Sequence, residues 1–174
     1  LDFVRSGKGF GGAHSATDTL YGWAEYGDLI GGYFDGHPWV HNVRVDVEDP
    51  DNPLARHLGS SFEIVEEIYQ HRNFDRDRVR VLMTLDTTSV NLGLEGVNRT
   101  DRDFALAWMR NYGQGRVFYT AFGHFDETWR DARFQEMLRN ALLWMTGQIE
   151  AEAIPRGGSP GAAPKIAAVV EAAQ

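Results

Sequence analysis

Residues 79–86, VRVLMTLD, form an almost unbroken apolar run. A strand with one wet face alternates apolar and polar side chains, so a run of this kind belongs to a strand covered on both faces. Two further stretches join it: VRVDVED from Val43, and FEIVEEIYQ from Phe62, whose β-branched and aromatic content leans to strand. Doubly covered strands are typical of parallel sheets sheathed by helices, which predicts a mostly parallel sheet. The segment 104–124, FALAWMRNYGQGRVFYTAFGH, places two apolar runs around Gly113, Gln114 and Gly115, the signature of a hairpin and hence of an antiparallel edge. Phe134, Met137, Leu138, Ala141, Leu142 and Met145 recur at helical spacing, with Gly147 placed to cap the end. A weaker helical pattern runs through Leu20, Trp23, Gly27 and Ile30.

The 174 residues suffice for one α/β domain, expected at 1–149. Residues 150–174 are expected to be a linker or tail, because from Ile154 the chain turns to IPRGGSPGAAP, with too little bulky apolar surface to offset the entropy of ordering. Its last stretch, KIAAVVEAAQ, has helical propensity but little length. The absence of cysteine excludes disulfides, thiolate metal sites and thiol nucleophiles. A net charge of −8 with scattered Lys and Arg argues against nucleic acid as a partner. No apolar run approaches the roughly 20 residues of a membrane span. No signal-peptide pattern is present, the protein is expected to be soluble, and the sequence does not choose between cytoplasm and periplasm.

Chemistry concentrates at predicted strand ends. GKGFGGAHSATDT, residues 7–19, bends at Gly11 and Gly12 and lifts His14 to the apex of a strand-to-helix turn, like a nucleophile elbow that carries imidazole. Ser15, Thr17 and Asp18 are placed to accept hydrogen bonds from the helix that follows. Asp86 closes VLMTLD, His124 closes VFYTAFGH, and Glu66, Glu67 and Tyr69 lie in or just after FEIVEEIYQ. His14 and His124 with a carboxylate suit either an acid/base pair or a divalent metal such as zinc, manganese or iron. In GGYFDGHPWVHN, Pro38 between His37 and His41 argues against a helix and so against a HExxH site; His37 is the better candidate for lining the crevice and for a metal. His57 reads as surface or a helix end, and His71 as a solvated turn residue. Trp23, Trp39, Trp108 and Trp129 lie near loops or strand ends, where ring faces suit the C–H faces of a sugar.

GGAHSATDTLYGWAEYGDLIGGYFDGHPW, FEIVEEIYQ, RDFALAWMRNYGQGRVFYTAFGH and WRDARFQEMLRNALLWMTG together resemble the trehalose-utilisation (ThuA-like) family, over about Phe3 to Gly147. The resemblance implies a three-layer α/β sandwich of the flavodoxin-like, class I glutamine amidotransferase-like kind. It also implies strands that precede Leu1, so the sheet is expected to lack its N-terminal strands here. An edge left open in that way would associate with that preceding segment or with a second copy of the chain. Glutamine amidotransferases carry a cysteine at the elbow; with His14 there and no cysteine anywhere, that chemistry is ruled out.

The function expected from these features is acid/base chemistry, metal-assisted, on a sugar or keto-sugar/glycoside by an isomerase, lyase or hydrolase. The catalytic candidates are His14, His124, Glu67 and Asp18. The substrate-binding candidates are Ser15, Trp23, His37, Tyr69, Asp86 and Trp108, and the metal candidates His14, His37 and His124. The alternative is a noncatalytic sugar-binding or interaction domain of a larger multidomain protein.

Overall fold

The computed structural model describes residues 1–157. Its centre is a six-stranded sheet built from β1 (Gly9–Ala13), β3 (Trp39–Val47), β4 (Ser61–Ile68), β6 (Arg80–Leu85), β7 (Ala105–Tyr112) and β8 (Gly115–Thr120), in the order β1-β8-β7-β6-β3-β4. The two short strands β2 (Tyr33–Phe34) and β5 (His71–Arg72) form a separate antiparallel pair. The helices are α1 (Asp2–Arg5), α2 (Ala24–Ile30), α3 (Asp126–Arg130) and α4 (Ala132–Met145).

The fold is mixed α/β, but the sheet is largely antiparallel and not mostly parallel as expected. β1 runs parallel to β8, whereas β8–β7, β7–β6, β6–β3 and β3–β4 are antiparallel. Parallel neighbours need a long crossover, usually a helix. Here β7 returns as β8 through the two-residue turn Gly113–Gln114, and the β3–β4 and β6–β7 connections carry only short 3-10 turns. The apolar run that suggested a parallel strand is indeed buried at every position of β6. Coverage was legible in it; direction was not.

The burial of β6 comes from the shape of the sheet. Four interstrand steps separate β4 from β8, which in a flat sheet would be about 19 Å. Yet the Glu66 carboxylate of β4 lies 2.7 Å from the Gly123 nitrogen just beyond β8. The sheet therefore curls until its β4 end meets the turn after β8, and Phe62 packs edge-on against Phe122 across the closure, with ring centroids 6.2 Å apart.

Helical layers lie against the β1–β8 end of this curl. Gly9 and Gly11 face Met145 of α4, and Gly12, on the opposite face, meets Ile30 of α2. α4 is the helix that the spacing predicts, extended by one turn's start to Ala132. Asp131 caps it by accepting from the Arg133 nitrogen, and Gly147 takes φ +76° just past its end. α2 realises the weaker pattern, closed by Gly31 at φ +100°.

Residues 150–157, the near part of the expected tail, are tied to the body: Glu150 pairs with Arg116, Glu152 with Arg80, and Arg156 with Asp49. The remainder of that stretch, with its KIAAVVEAAQ segment, lies outside the described residues.

Candidate active site

The elbow is real, but its strain sits elsewhere than on the glycines. β1 ends at Ala13, and His14 itself takes φ +45°, a left-handed conformation that a side chain disfavours. Gly12 is required for room: a Cβ there would stand 2.9 Å from Ala16 and 3.1 Å from Ile30. The turn is held from beneath. The Tyr119 hydroxyl donates to the His14 carbonyl at 2.8 Å, and Thr17 Oγ1 lies 2.9 Å from the same hydroxyl. Thr17 thus serves the elbow from below. No side chain caps the 3-10 turn 14–17 or the helix α2 that follows, whose N-cap is Trp23, so the expected capping by Ser15, Thr17 and Asp18 is not formed.

His14 Nδ1 lies 2.9 Å from the Ala121 carbonyl. A carbonyl only accepts, so Nδ1 carries the proton and Nε2 of a neutral ring presents a lone pair. That Nε2 is 3.1 Å from Glu67 Oε2 and 3.2 Å from His124 Nδ1, while His124 Nδ1 is 3.1 Å from the same carboxylate oxygen. Three ligand-type atoms thus form a nearly equilateral triangle. Donor atoms on a tetrahedral ion at about 2.1 Å would lie about 3.4 Å apart, so the separations suit a cation such as zinc. Among the described residues this is the group of three histidine or acidic side chains whose ligand atoms lie within 4.8 Å of one another.

His37 approaches from the other side, its Nδ1 3.4 Å from Glu67 Oε1. The metal set expected from sequence was His14, His37 and His124; the set that converges is His14, Glu67 and His124, with His37 on the second carboxylate oxygen. Aromatic rings wall the place. Tyr69 lies against His14 with centroids 4.2 Å apart, Phe34 against Tyr69 at 4.4 Å, and His37 stacks on Phe34 at 5.9 Å. Burial first, then the charges of Glu67 and Asp18, push the Tyr69 phenol well above its ordinary range, so it stays protonated.

The other predicted residues do not join the triangle. Asp18 is exposed and accepts from the Tyr21 hydroxyl. Ser15 is exposed, and Trp23, half-exposed, stacks on Tyr26. Asp86 accepts from the Thr88 backbone and hydroxyl, bonds that hold its carboxyl below the usual range, and it faces Arg44 at 3.7 Å. It is the cap of a turn. Trp108 is fully buried, its indole N–H donating to the Ile30 carbonyl at 2.7 Å, so it is core and not wall. Trp39 is equally buried.

The profile of the trehalose-utilisation (ThuA) family matches residues 1–145. The chain belongs to that family. Among solved structures it is similar to a putative ThuA-like protein from Bacteroides uniformis, with 28% identity and a TM-score of 0.66 over 83% of this chain and 60% of that one. A putative ThuA-like protein from Parabacteroides merdae is 21% identical, with a TM-score of 0.63 over 87% of this chain and 65% of that one. The fold also matches a cytoplasmic protein from Salmonella typhimurium, at 12% identity and a TM-score of 0.55, over 83% and 57% of the two chains. The chain thus spans 60–65% of the length of the two ThuA-like structures. No curated protein matches it. No helix among the described residues is long and apolar enough to cross a membrane.

Two residues beside the triangle take roles that the sequence does not give them: it marks Glu66 only as a strand-end candidate, and it leaves His71 outside the site. Glu66 is fully buried, and His71, read as a solvated turn residue, is buried beneath the elbow with Nε2 3.2 Å from the Tyr119 hydroxyl. Burial, and then the Arg99 charge, pull His71 from 6.5 to about 3. Below its ordinary pKa the unfolded chain takes up a proton that the folded one refuses. Stability from this group is therefore complete above pH 6.5 and falls with pH toward 3, at about 1.4 kcal/mol per pH unit. Urea unfolding is expected to show a loss of about 2 kcal/mol from this group between pH 7 and pH 5. His71→Gln should flatten that limb, and an unchanged slope would disprove the assignment.

Proposed function

We propose that this ThuA-family protein is an enzyme acting on a sugar or keto-sugar/glycoside, with a divalent metal held by His14 Nε2, His124 Nδ1 and Glu67 Oε2. The observation that carries the reading is the triangle of 3.1–3.2 Å between those atoms, with the His14 tautomer fixed by Ala121. A bound divalent ion supplies Lewis-acid polarisation of a carbonyl or hydroxyl oxygen. The family's association with trehalose utilisation supports a carbohydrate as the substrate class.

The chain's own residues do the rest. Phe34, half-buried, offers ring surface for the C–H side of a pyranose, while Tyr69 is buried with His14 and Phe34 against its ring and backs the site. The Tyr69 phenol, kept protonated, is a hydrogen-bond donor toward a sugar oxygen. His37 is half-exposed beside Glu67 and is the group best placed to exchange protons with solvent. In a keto sugar the hydrogen next to the carbonyl is acidified, and a base that removes it leads to isomerisation or elimination. A sugar-binding domain without turnover is the second reading; it needs only the aromatic cluster of Phe34, Tyr69 and His37 beside Glu67.

Elemental analysis of the purified protein, with a panel of keto-disaccharides, tests the proposal. Near-stoichiometric zinc, manganese or iron and turnover that chelation removes and metal restores are expected. Sugar affinity without conversion would establish the binding role instead, and neither metal nor sugar binding would end both readings.

A further inference from the structure

Glu66 occupies a position that the β4 pattern reserves for apolar side chains, on the same buried side as Ile64 and Ile68. A fully buried carboxylate is costly unless its lone pairs are used. All its bonds are to backbone N–H groups. Oε1 accepts from Gly123 at 2.7 Å and His124 at 3.0 Å, and Oε2 accepts from Glu67 at 2.8 Å. Two of the three donors belong to His124 and Glu67, members of the triangle. The third is Gly123, whose φ of +121° aims both turn N–H groups at one point. The two Oε1 bonds also span the closure of the curled sheet, joining its β4 edge to the turn after β8.

We infer that Glu66 is a positioning residue, a carboxylate clasp that closes the curl and thereby sets the separation of Glu67 and His124. This rests on the reading of the triangle as the functional centre. His14 arrives from β1 and is registered to the same turn through Ala121, so all three members depend on where that turn sits. A methylene-bearing apolar side chain at 66 would fill the core but leave the Gly123 and His124 N–H groups unpaired.

The test uses Glu66→Gln and Glu66→Asp. In Glu66→Gln the single neutral oxygen can face Gly123 and His124 only by setting the NH2 group against the Glu67 N–H, so that one of the three donors is lost and the others are weakened. Glu66→Asp keeps the charge but shortens the reach. Ile64→Val, on the same side of the same strand, is the control for mere destabilisation. In metal-free protein, amide exchange at Gly123 and His124 should quicken at least tenfold in Glu66→Gln, less in Glu66→Asp, and not selectively in Ile64→Val. The imidazole-to-imidazole NOE between His14 and His124 should be lost in the same order. Zinc titrated by calorimetry should bind about 10–100-fold more weakly to Glu66→Gln and with unchanged affinity to Ile64→Val. If the native protein takes no zinc, the metal reading fails while the clasp is still judged by exchange and NOE. Unchanged exchange and NOE in Glu66→Gln, or zinc affinity lost equally in Ile64→Val, would overturn the clasp. Should Glu66→Gln not fold, Glu66→Asp with native exchange, NOE and zinc affinity would overturn it.

Discussion

His14→Ala is expected to lower zinc affinity by more than about 100-fold, because losing a ligand costs more than losing the support of one. Turnover of a keto sugar should fall by about 10²–10⁴. The direct role of His14 follows from its two nitrogens. Nδ1 is committed to Ala121, and Nε2 faces Glu67 and His124, so alanine removes a triangle vertex and leaves the other two. Glu67→Gln should act as strongly on metal, since its Oε2 serves both histidines. His37→Ala should cost less metal affinity, because His37 touches only the other oxygen. His41→Ala, exposed on β3, should change neither. Calorimetry with zinc and steady-state kinetics on the four variants check this order; a His14→Ala protein that keeps native zinc affinity and turnover would disprove it.

Strand-end logic brought His14, His124 and Glu67 to notice, although for a partly mistaken reason. Parallel neighbours were expected to carry the ends together. β1 and β8 do so for the elbow and the 121–124 turn, but Glu67 comes from the far edge of an antiparallel sheet and arrives only through its curl. Local patterns carry no information about curl, which arises from packing between strands distant in sequence. The same blindness hid His71. Its neighbours in YQHRNFDRDR are charged and polar, and what buries it, Trp108 and Tyr119, lies more than thirty residues away. Trp108 erred in the opposite sense, since a tryptophan near a strand end reads alike whether it walls a crevice or fills a core. Glu66 stands out at its strand end, but its buried role could also have been read. Alternation in FEIVEEIYQ puts it with the isoleucines, and a carboxylate on a core-facing position must have partners. By contrast α4 and the β7–β8 hairpin were legible because their signals, helical spacing and a glycine turn, are local.

The charged cluster beneath the sheet carries the largest expected effect on stability. Arg80 of β6 and Asp49 are almost wholly buried, with side chains 4% and 2% exposed and 2.8 Å between Nε and Oδ2. Arg80 also donates to Glu152 at 2.9 Å and to the Ile154 carbonyl at 3.1 Å, so one guanidinium joins β6 to the 150–157 segment. Arg80→Met keeps the aliphatic stem but removes the charge that compensates Asp49. The carboxylate then keeps Asn52 at 3.0 Å and Arg156 at 2.9 Å, the latter itself part of the released segment. Removing one partner of a buried pair costs about 3–5 kcal/mol, whereas neutralising both can be nearly without cost. Urea unfolding of Arg80→Met should therefore show a loss in that range, and adding Asp49→Asn should recover a large part of it. Trypsin should also reach Arg156 sooner in Arg80→Met, because its segment has lost two anchors. If the double variant is as unstable as the sum of the single ones, the loss arises from packing and not from the stranded charge, and the ion pair is not what holds this segment down.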